Sequence, residues 1–306
     1  MMSDKAQFAS EVQPFSVESA NVRGRLVRLD QAYGDIIGSH SYPAIVAGLM
    51  GELSAMTAAL ADSLKYDGLF ILQTQSDGPV GMMVVDITSD GAMRGYVKYD
   101  SEKIGDSTDT SSIVPRLMGS GHIAFTVDQG PDMERYQGIT ALEGASLAEC
   151  AQSYFRQSEQ LETALLLAAD PENGRAAALM IQKMPAAGEG AEQRLNLSEE
   201  EDDESWRNAV VLMSSMTKEE MLDPELNSWD LLYRLYHENG VRLYDNKPLK
   251  FKCRCSGEKV AATLASFPAE ELSDMKTEAG LVVATCEFCR TDYEFDDDAL
   301  AAIRNS

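Results

Sequence analysis

Four of the five cysteines in this 306-residue chain fall in two tight pairs, Cys253-Arg254-Cys255 and Cys286-Glu287-Phe288-Cys289, with 30 residues between them. Thiolates bind soft metal ions and also give up electrons, so the pattern points to two chemistries. Four sulfurs at about 2.3 Å complete a tetrahedral Zn2+ shell and leave no position open for a substrate. Each pair reaches the ion as a unit, which limits the entropy lost in closing the loop between them. In a reducing compartment such pairs are metal ligands or redox-active groups rather than standing disulfides. The spacing predicts one Zn2+ per chain on Cys253, Cys255, Cys286 and Cys289. It leaves open whether that zinc is purely structural or part of a redox switch. Lys250, Lys252 and Arg254 flank the first pair, and positive charge there would favour thiolate and so reactivity. Cys150 has no partner in sequence and falls on the apolar side of its expected helix, so it reads as packing. His40, His122 and His237 are scattered, and none is assigned as a ligand.

The unit that must hold those pairs is small. Residues 247–306 carry 11 acidic and 8 basic side chains. A segment of that length has a marginal core and commonly needs a staple. Residues 187–246 before it hold 15 acidic and 5 basic residues. The flexible joint Ala186-Ala187-Gly188-Glu189-Gly190 opens the stretch, and the run Glu199-Glu200-Glu201-Asp202-Asp203-Glu204 is expected to bury nothing. Two short helices are expected beyond it. One carries Trp206, Val210, Met213 and Met216; the other carries Leu226, Trp229, Tyr233 and Tyr236 and stops at Gly240. They fold only if a neighbour covers their apolar stripes, so the segment reads as a conditionally stable linker.

Residues 1–186 read as one mixed unit. Ile45, Leu49, Leu53, Met56, Leu60 and Leu64 step as an amphipathic helix. Short β-rich runs are expected at 69–73, 82–87, 95–99 and 123–127. Ser146-Leu147-Ala148-Glu149 has the capping-box pattern and opens a helix with Leu147, Cys150, Tyr154, Phe155 and Leu161. Strands and helices do not alternate regularly, which favours an α+β fold over a doubly wound sheet. The expected organisation is an N-terminal α+β core domain (1–186), an acidic helical linker (187–246) and a small C-terminal zinc-binding domain (247–306).

Composition narrows the function classes. The chain is 44% hydrophobic and 25% charged, enough for a sizeable core. Fifty acidic residues against 26 basic ones give a net charge of −24. That disfavours nucleic acid and anionic membrane as partners, because both are bound through Lys and Arg. It suits a protein that must stay soluble while exposing apolar surface. Met1-Met2-Ser3-Asp4-Lys5 shows no secretory pattern, and Gly48, Gly51 and Glu52 interrupt the longest apolar candidate, 41–64, so a cytoplasmic, non-membrane protein is expected. The phosphate-loop pattern, Gly-x-Ser-x-Gly and His-Glu-x-x-His are absent, and no enzyme is expected. Ser158-Glu159-Gln160 reads as structural.

The cysteine pairs in their setting resemble a known family. Phe251-Lys252-Cys253-Arg254-Cys255-Ser256, Cys286-Glu287-Phe288-Cys289 and the trailing Tyr293-Glu294-Phe295 are similar to the redox-regulated holdases of the 33 kDa chaperonin family. So are Tyr136-Gln137-Gly138, Glu143-Gly144, Tyr154-Phe155 through Ser158-Glu159-Gln160, Leu231-Leu232-Tyr233-Arg234-Leu235-Tyr236-His237 and Val241-Arg242-Leu243. The acidic run 199–204 departs from the family pattern. The resemblance implies an ATP-independent chaperone that is zinc-bound, monomeric and inactive when reduced. On oxidation, disulfides Cys253–Cys255 and Cys286–Cys289 form, zinc leaves, and the terminal unit and linker unfold. The protein then holds unfolding clients, usually as a homodimer. If the linker packs on the terminal unit, losing one uncovers the other. Trp206, Met213, Met216, Trp229 and Tyr236 would then be the client-binding surface. Two alternatives stand beside this: a cytosolic thiol oxidoreductase using the second pair, and a constitutive zinc-stabilised adaptor.

Overall fold

The structure, a computed structural model, describes residues 8–105, 109–184 and 195–304. The chain divides into two units, one ending at Phe251 and the other beginning at Lys252. The larger unit runs β1 (Glu11–Val17), β2 (Val22–Leu29), α1 (Gln31–Gly38), α2 (Ala44–Ser63), β3 (Leu69–Ser76), β4 (Val80–Thr88), β5 (Ala92–Tyr99) and α3 (Ser101–Ile104). It continues through β6 (Gly121–Asp128), β7 (Tyr136–Ala141), α4 (Leu147–Tyr154), β8 (Thr163–Asp170) and β9 (Arg175–Lys183). Helices α5 (Glu199–Ser214), α6 (Lys218–Leu222) and α7 (Ser228–Tyr236) follow, then β10 (Val241–Leu243), β11 (Lys247–Pro248) and β12 (Lys250–Phe251). One six-stranded sheet has the order β10-β1-β2-β9-β8, with β11 also on β1; the other has the order β12-β5-β4-β3-β6-β7. The fold is α+β.

Helix α2 lies between the sheets, touching β2, β8 and β9 of one and β3, β4 and β5 of the other. The expected single apolar face is therefore corrected: this helix is buried nearly all round, including Ser54 and Thr57. Their hydroxyls return to the carbonyls of Met50 and Leu53 at 2.7 and 2.6 Å, so no polar group is stranded. Gly48, Gly51 and Glu52 do not interrupt it. A Cβ at Gly51 would come within 2.9 Å of Ala169 and of the Tyr33 ring, so glycine lets β8 approach. The helix is long and apolar enough to cross a membrane, but 78% of its most apolar stretch is buried inside the fold, as in a core helix. All four expected strands exist, each longer than its apolar run, because pairing recruits the flanking residues. Leu161 lies beyond α4, which ends in a π-turn, Phe155–Glu159.

The linker stripes are covered by the larger unit's own sheet. Met213, Met221, Leu231, Leu232 and Tyr236 pack with Phe15, Val17, Leu26, Leu179 and Ile181 of β1, β2 and β9. The linker helices therefore pack on the apolar outer face of this sheet, which corrects the expectation that the terminal unit covers them. The acidic run forms the first turns of α5. Ser198 and Glu201 make a reciprocal capping box, and acidic side chains favour a helix N-terminus. The expectation that the run buries nothing is corrected at Asp202. That residue is 6% exposed, accepts a 2.5 Å hydrogen bond from Asn21 Nδ2 and meets Lys183 Nζ at 3.2 Å. Residues 247–251, grouped by sequence with the terminal unit, pair instead with β1 and β5. The joint expected at 186–190 lies outside the described residues.

Candidate metal centre

The terminal unit contains α8 (Gly257–Leu264), α9 (Ala269–Asp274), β13 (Val282–Thr285), β14 (Asp292–Phe295) and α10 (Asp297–Arg304). Its buried apolar cluster is five residues: Leu264, Leu272, Val282, Phe295 and Leu300. The second cysteine pair is the turn of the β13–β14 hairpin, whose last cross-strand pair is Thr285 with Asp292. Cys286 N–H donates to the Thr291 carbonyl at 2.9 Å and Arg290 N–H donates to the Cys286 carbonyl at 2.8 Å, with Arg290 at φ 57°. The first pair runs into α8, where the Ser256 hydroxyl accepts from Lys259 N–H and fixes the helix start.

These two turns bring all four Sγ atoms within 4.8 Å of one another. The Cys253–Cys255, Cys255–Cys289 and Cys253–Cys286 separations are 3.3, 3.4 and 3.7 Å. Sulfurs tetrahedrally placed about a metal at ~2.3 Å stand roughly 3.8 Å apart, so the donor set and spacing fit one soft divalent ion. Tyr293 Oη donates to Cys255 Sγ at 3.1 Å, and Thr291 Oγ1 lies 3.2 Å from Cys289 Sγ. Sequence reading assigned neither a role. Tyr293 stood among the residues of the family resemblance, whereas Thr291 carried no signal.

Burial and the crowding of neighbouring sulfhydryls push the Cys255 thiol up to about 12 and Cys286 up as well. At Cys289 burial also opposes ionisation, but the Thr291 hydroxyl and amide outweigh it and bring the thiol down to about 7. The basic flank was expected to be the source of thiolate character. In the fold Lys250 faces Asp90 at 3.7 Å, and the thiol pushed down is the one beside Thr291. A bound cation is what lets such a crowded set ionise together.

The residues expected to meet clients do not form one open surface. Met213 and Tyr236 are buried, Trp206 and Met216 are half-buried, and all four belong to the cluster under the linker helices. Trp229 is 46% exposed and stacks on Tyr233 with ring centroids 5.6 Å apart. Cys150 is buried as expected, and burial raises its thiol to about 11.

Fold and site together define a protein with a mixed α+β unit and a small second unit that carries a four-sulfur cluster able to hold a metal ion. The profile of the Hsp33 protein family matches residues 10–296. A 33 kDa chaperonin of Caulobacter vibrioides is 40% identical over 294 residues, covering 93% of this chain and 94% of that protein. A 33 kDa chaperonin of Ectopseudomonas mendocina is 39% identical over 292 residues, covering 95% and 94%. The crystal structure of a 33 kDa chaperonin, a heat shock protein 33 homolog from Thermotoga maritima, superimposes with a TM-score of 0.78 at 20% identity, covering 97% of this chain and 98% of that one. This chain belongs to the Hsp33 family of chaperones.

Proposed function

We propose that this protein is an ATP-independent holdase switched on by oxidation of Cys253, Cys255, Cys286 and Cys289. The carrying observation is the pooling of four sulfurs into one cluster in a unit whose buried apolar cluster holds five of the described residues. Zinc bound there would hold the sulfurs as thiolates and contribute about 10–16 kcal/mol to the order of the unit. When Cys253 joins Cys255 and Cys286 joins Cys289, each pair of thiolates gives two electrons to a peroxide, which takes two protons from solvent and becomes two waters. The disulfide sulfurs are no longer thiolate ligands, so the terminal unit loses its staple.

Covalent continuity supports a route to the linker, residues 187–246. Cys253 follows β12 by one residue, and β10, β11 and β12 are short strands at the sheet edges. Release of these strands would free α7, then α6 and α5. Trp206, Met213, Met216, Trp229 and Tyr236 would become available to unfolding proteins, together with the sheet face they cover. The acidic surface would keep the opened form soluble, in a cytoplasmic protein that dimerises when oxidised. The pooled cluster favours this reading over an oxidoreductase, whose reactive pair would work alone, and the likeness to 33 kDa chaperonins favours it over a constitutive adaptor.

The test treats reduced, zinc-loaded protein with peroxide at mild heat while following zinc release, far-UV circular dichroism and light scattering by a denatured client. One zinc released per chain, followed by suppressed aggregation, is expected. Full protection by the reduced protein would overturn the switch; a cluster resistant to peroxide would favour the adaptor.

A further inference from the structure

The larger unit contains a cleft of about 1110 Å3 that takes no part in the thiol chemistry. Phe70, Phe125, Tyr154 and Phe155 line it. Phe125 and Tyr154 stack at 4.2 Å, with Phe155 edge-on to both. Most of the polar lining satisfies itself. Glu159 Oε1 accepts from Tyr154 Oη at 2.6 Å and from Tyr136 Oη at 3.0 Å, and Lys183 is taken up by Glu162, Asp202 and Asp203. Two lining atoms are left over. Arg23 Nε and Gln182 Oε1 are buried, and neither has a hydrogen-bond partner. Arg23 has no ion-pair partner among the described residues, and burial lowers its pKa. Gln182 is 1% exposed. Its amide is held in this orientation, because the Thr163 hydroxyl donates to the Leu161 carbonyl at 3.3 Å and so accepts from Gln182 Nε2, also at 3.3 Å.

Buried polar groups are ordinarily satisfied, so an open donor beside an open acceptor points to a missing ligand. Arg23 and Gln182 stand directly opposite on β2 and β9, so their side chains leave one face of the sheet about 5 Å apart. A single ligand edge that serves both must present C=O and N–H side by side. The peptide units of an extended chain are trans, with C=O and N–H pointing apart, and do not offer such an edge. A ring-closed amide does, because the ring holds the two groups cis. Charge narrows the class further. The lining has five acidic side chains against Arg23 and Lys183, which disfavours an anion. The aromatic rings favour a flat ring system as their neighbour.

We propose that this cleft binds a neutral, flat heteroaromatic lactam and that the bound ligand keeps the linker packed. Its C=O accepts from Arg23 Nε, its N–H donates to Gln182 Oε1, and its rings pack on Phe125, Tyr154 and Phe155. The effect on the linker rests on the switch reading above; the site does not. Sheet and linker both wall the cleft, because Leu197, Glu199 and Asp202 line it together with Arg23 and Gln182. Opening of α5 takes that wall away, so a ligand that needs it stabilises the closed form by mass action. Such a ligand is the opposite of a client: it binds the reduced, inactive protein and delays its activation.

The experiment uses full-length, reduced, zinc-loaded protein and riboflavin, whose ring N–H lies between two carbonyls, followed by quenching of its fluorescence. Guanosine, which carries a lactam edge on a purine, competes in a second arm. Saturable binding is expected, weakened about tenfold when 3-methylriboflavin replaces riboflavin or when Arg23→Met replaces the native chain. The methylated probe needs no variant, so it carries the test if circular dichroism shows that Arg23→Met does not fold. Tighter binding of guanosine assigns the occupant to the purinones, and tighter binding of riboflavin to the flavins. In peroxide-treated protein, bound riboflavin should raise the temperature at which the linker opens, read at 222 nm, and postpone client protection. No saturable binding of either probe, binding indifferent to methylation, or an unmoved opening temperature overturns the proposal. Methyl-sensitive binding by a protein that never protects a client sinks the holdase reading and leaves the site standing.

Discussion

Arg28 of β2 shows how one side chain can tie the linker to the sheet. Its guanidinium donates to the carbonyls of Asp223 and Leu226, between α6 and α7, and lies 4.0 Å from the Phe8 ring centroid. Burial lowers its pKa to about 10, against the support of Asp223 and Glu11. Arg28→Met leaves two carbonyls without their donor and is expected to cost about 2 kcal/mol. Limited proteolysis near 223–226 should then quicken in reduced, zinc-loaded protein; an unchanged rate would show the contact to be idle. Glu52 on α2 gives a pH test. Burial raises its pKa, and Lys218 of α6, 3.8 Å away, only partly offsets this. Asp170, Glu172 and Glu219 line the same cavity, and Tyr33 is nearby on α1. A carboxyl with a raised native pKa keeps its proton longer in the folded state, so it makes stability fall as pH climbs from the unfolded value of 4.5 towards the native one. Glu52→Gln should therefore raise the melting temperature at pH 7 to 8, with the gap closing towards pH 4.5. A gap independent of pH would assign the effect to packing. The four cysteines were legible because ligation demands a residue type at a local spacing. Thr291 and Tyr293 were not, because their contacts depend on the register of a hairpin.

At the scale of elements, the first turn of α5 holds four acidic residues, Glu199, Glu200, Glu201 and Asp202, and a capping box holds Ser198 and Glu201 together. Ser198→Ala removes one half of that box and should cost about 1 kcal/mol. Because α5 is part of the linker, the oxidised protein should open at a lower temperature, read by circular dichroism at 222 nm, while zinc affinity stays unchanged. Unaltered opening would mean that α5 detaches after the switch has already committed. The helical linker was readable from its apolar stripes, but its docking face was not. That face is made by β1, β2, β8 and β9, none of which the periodicity revealed. Arg175–Lys183 reads RAAALMIQK and Thr163–Asp170 reads TALLLAAD, both rich in helix-favouring Ala and Leu. Burial between α2 and the linker helices overrides that propensity, because a strand covered on both faces loses its alternation.

In the whole molecule, two cores of very different size share one chain. Among the described residues the larger unit has two extensive buried clusters, whereas the terminal unit has one of five apolar residues beside its four sulfurs. That disparity was visible in the sequence, since a 60-residue segment with 11 acidic side chains cannot close a large core. The boundary at Phe251 was not, because β11 and β12 look like the approach to the cysteines until they are paired. The disparity predicts asymmetric loss of order when metal is withdrawn without oxidation. A chelator added to reduced protein should abolish amide protection across residues 253–304. Protection in β2, β9 and α2 should persist, because nothing in their packing involves a cysteine ligand. Between these limits, α7 and β10 should lose part of their protection, since the chain leads from them through β11 and β12 to Cys253. Retained protection in 253–304 would mean that five apolar residues suffice for that unit, and the cluster would not be its staple. Simultaneous collapse of β2 and β9 would mean that the two cores are one cooperative system, and a switch confined to linker and terminal unit could not work.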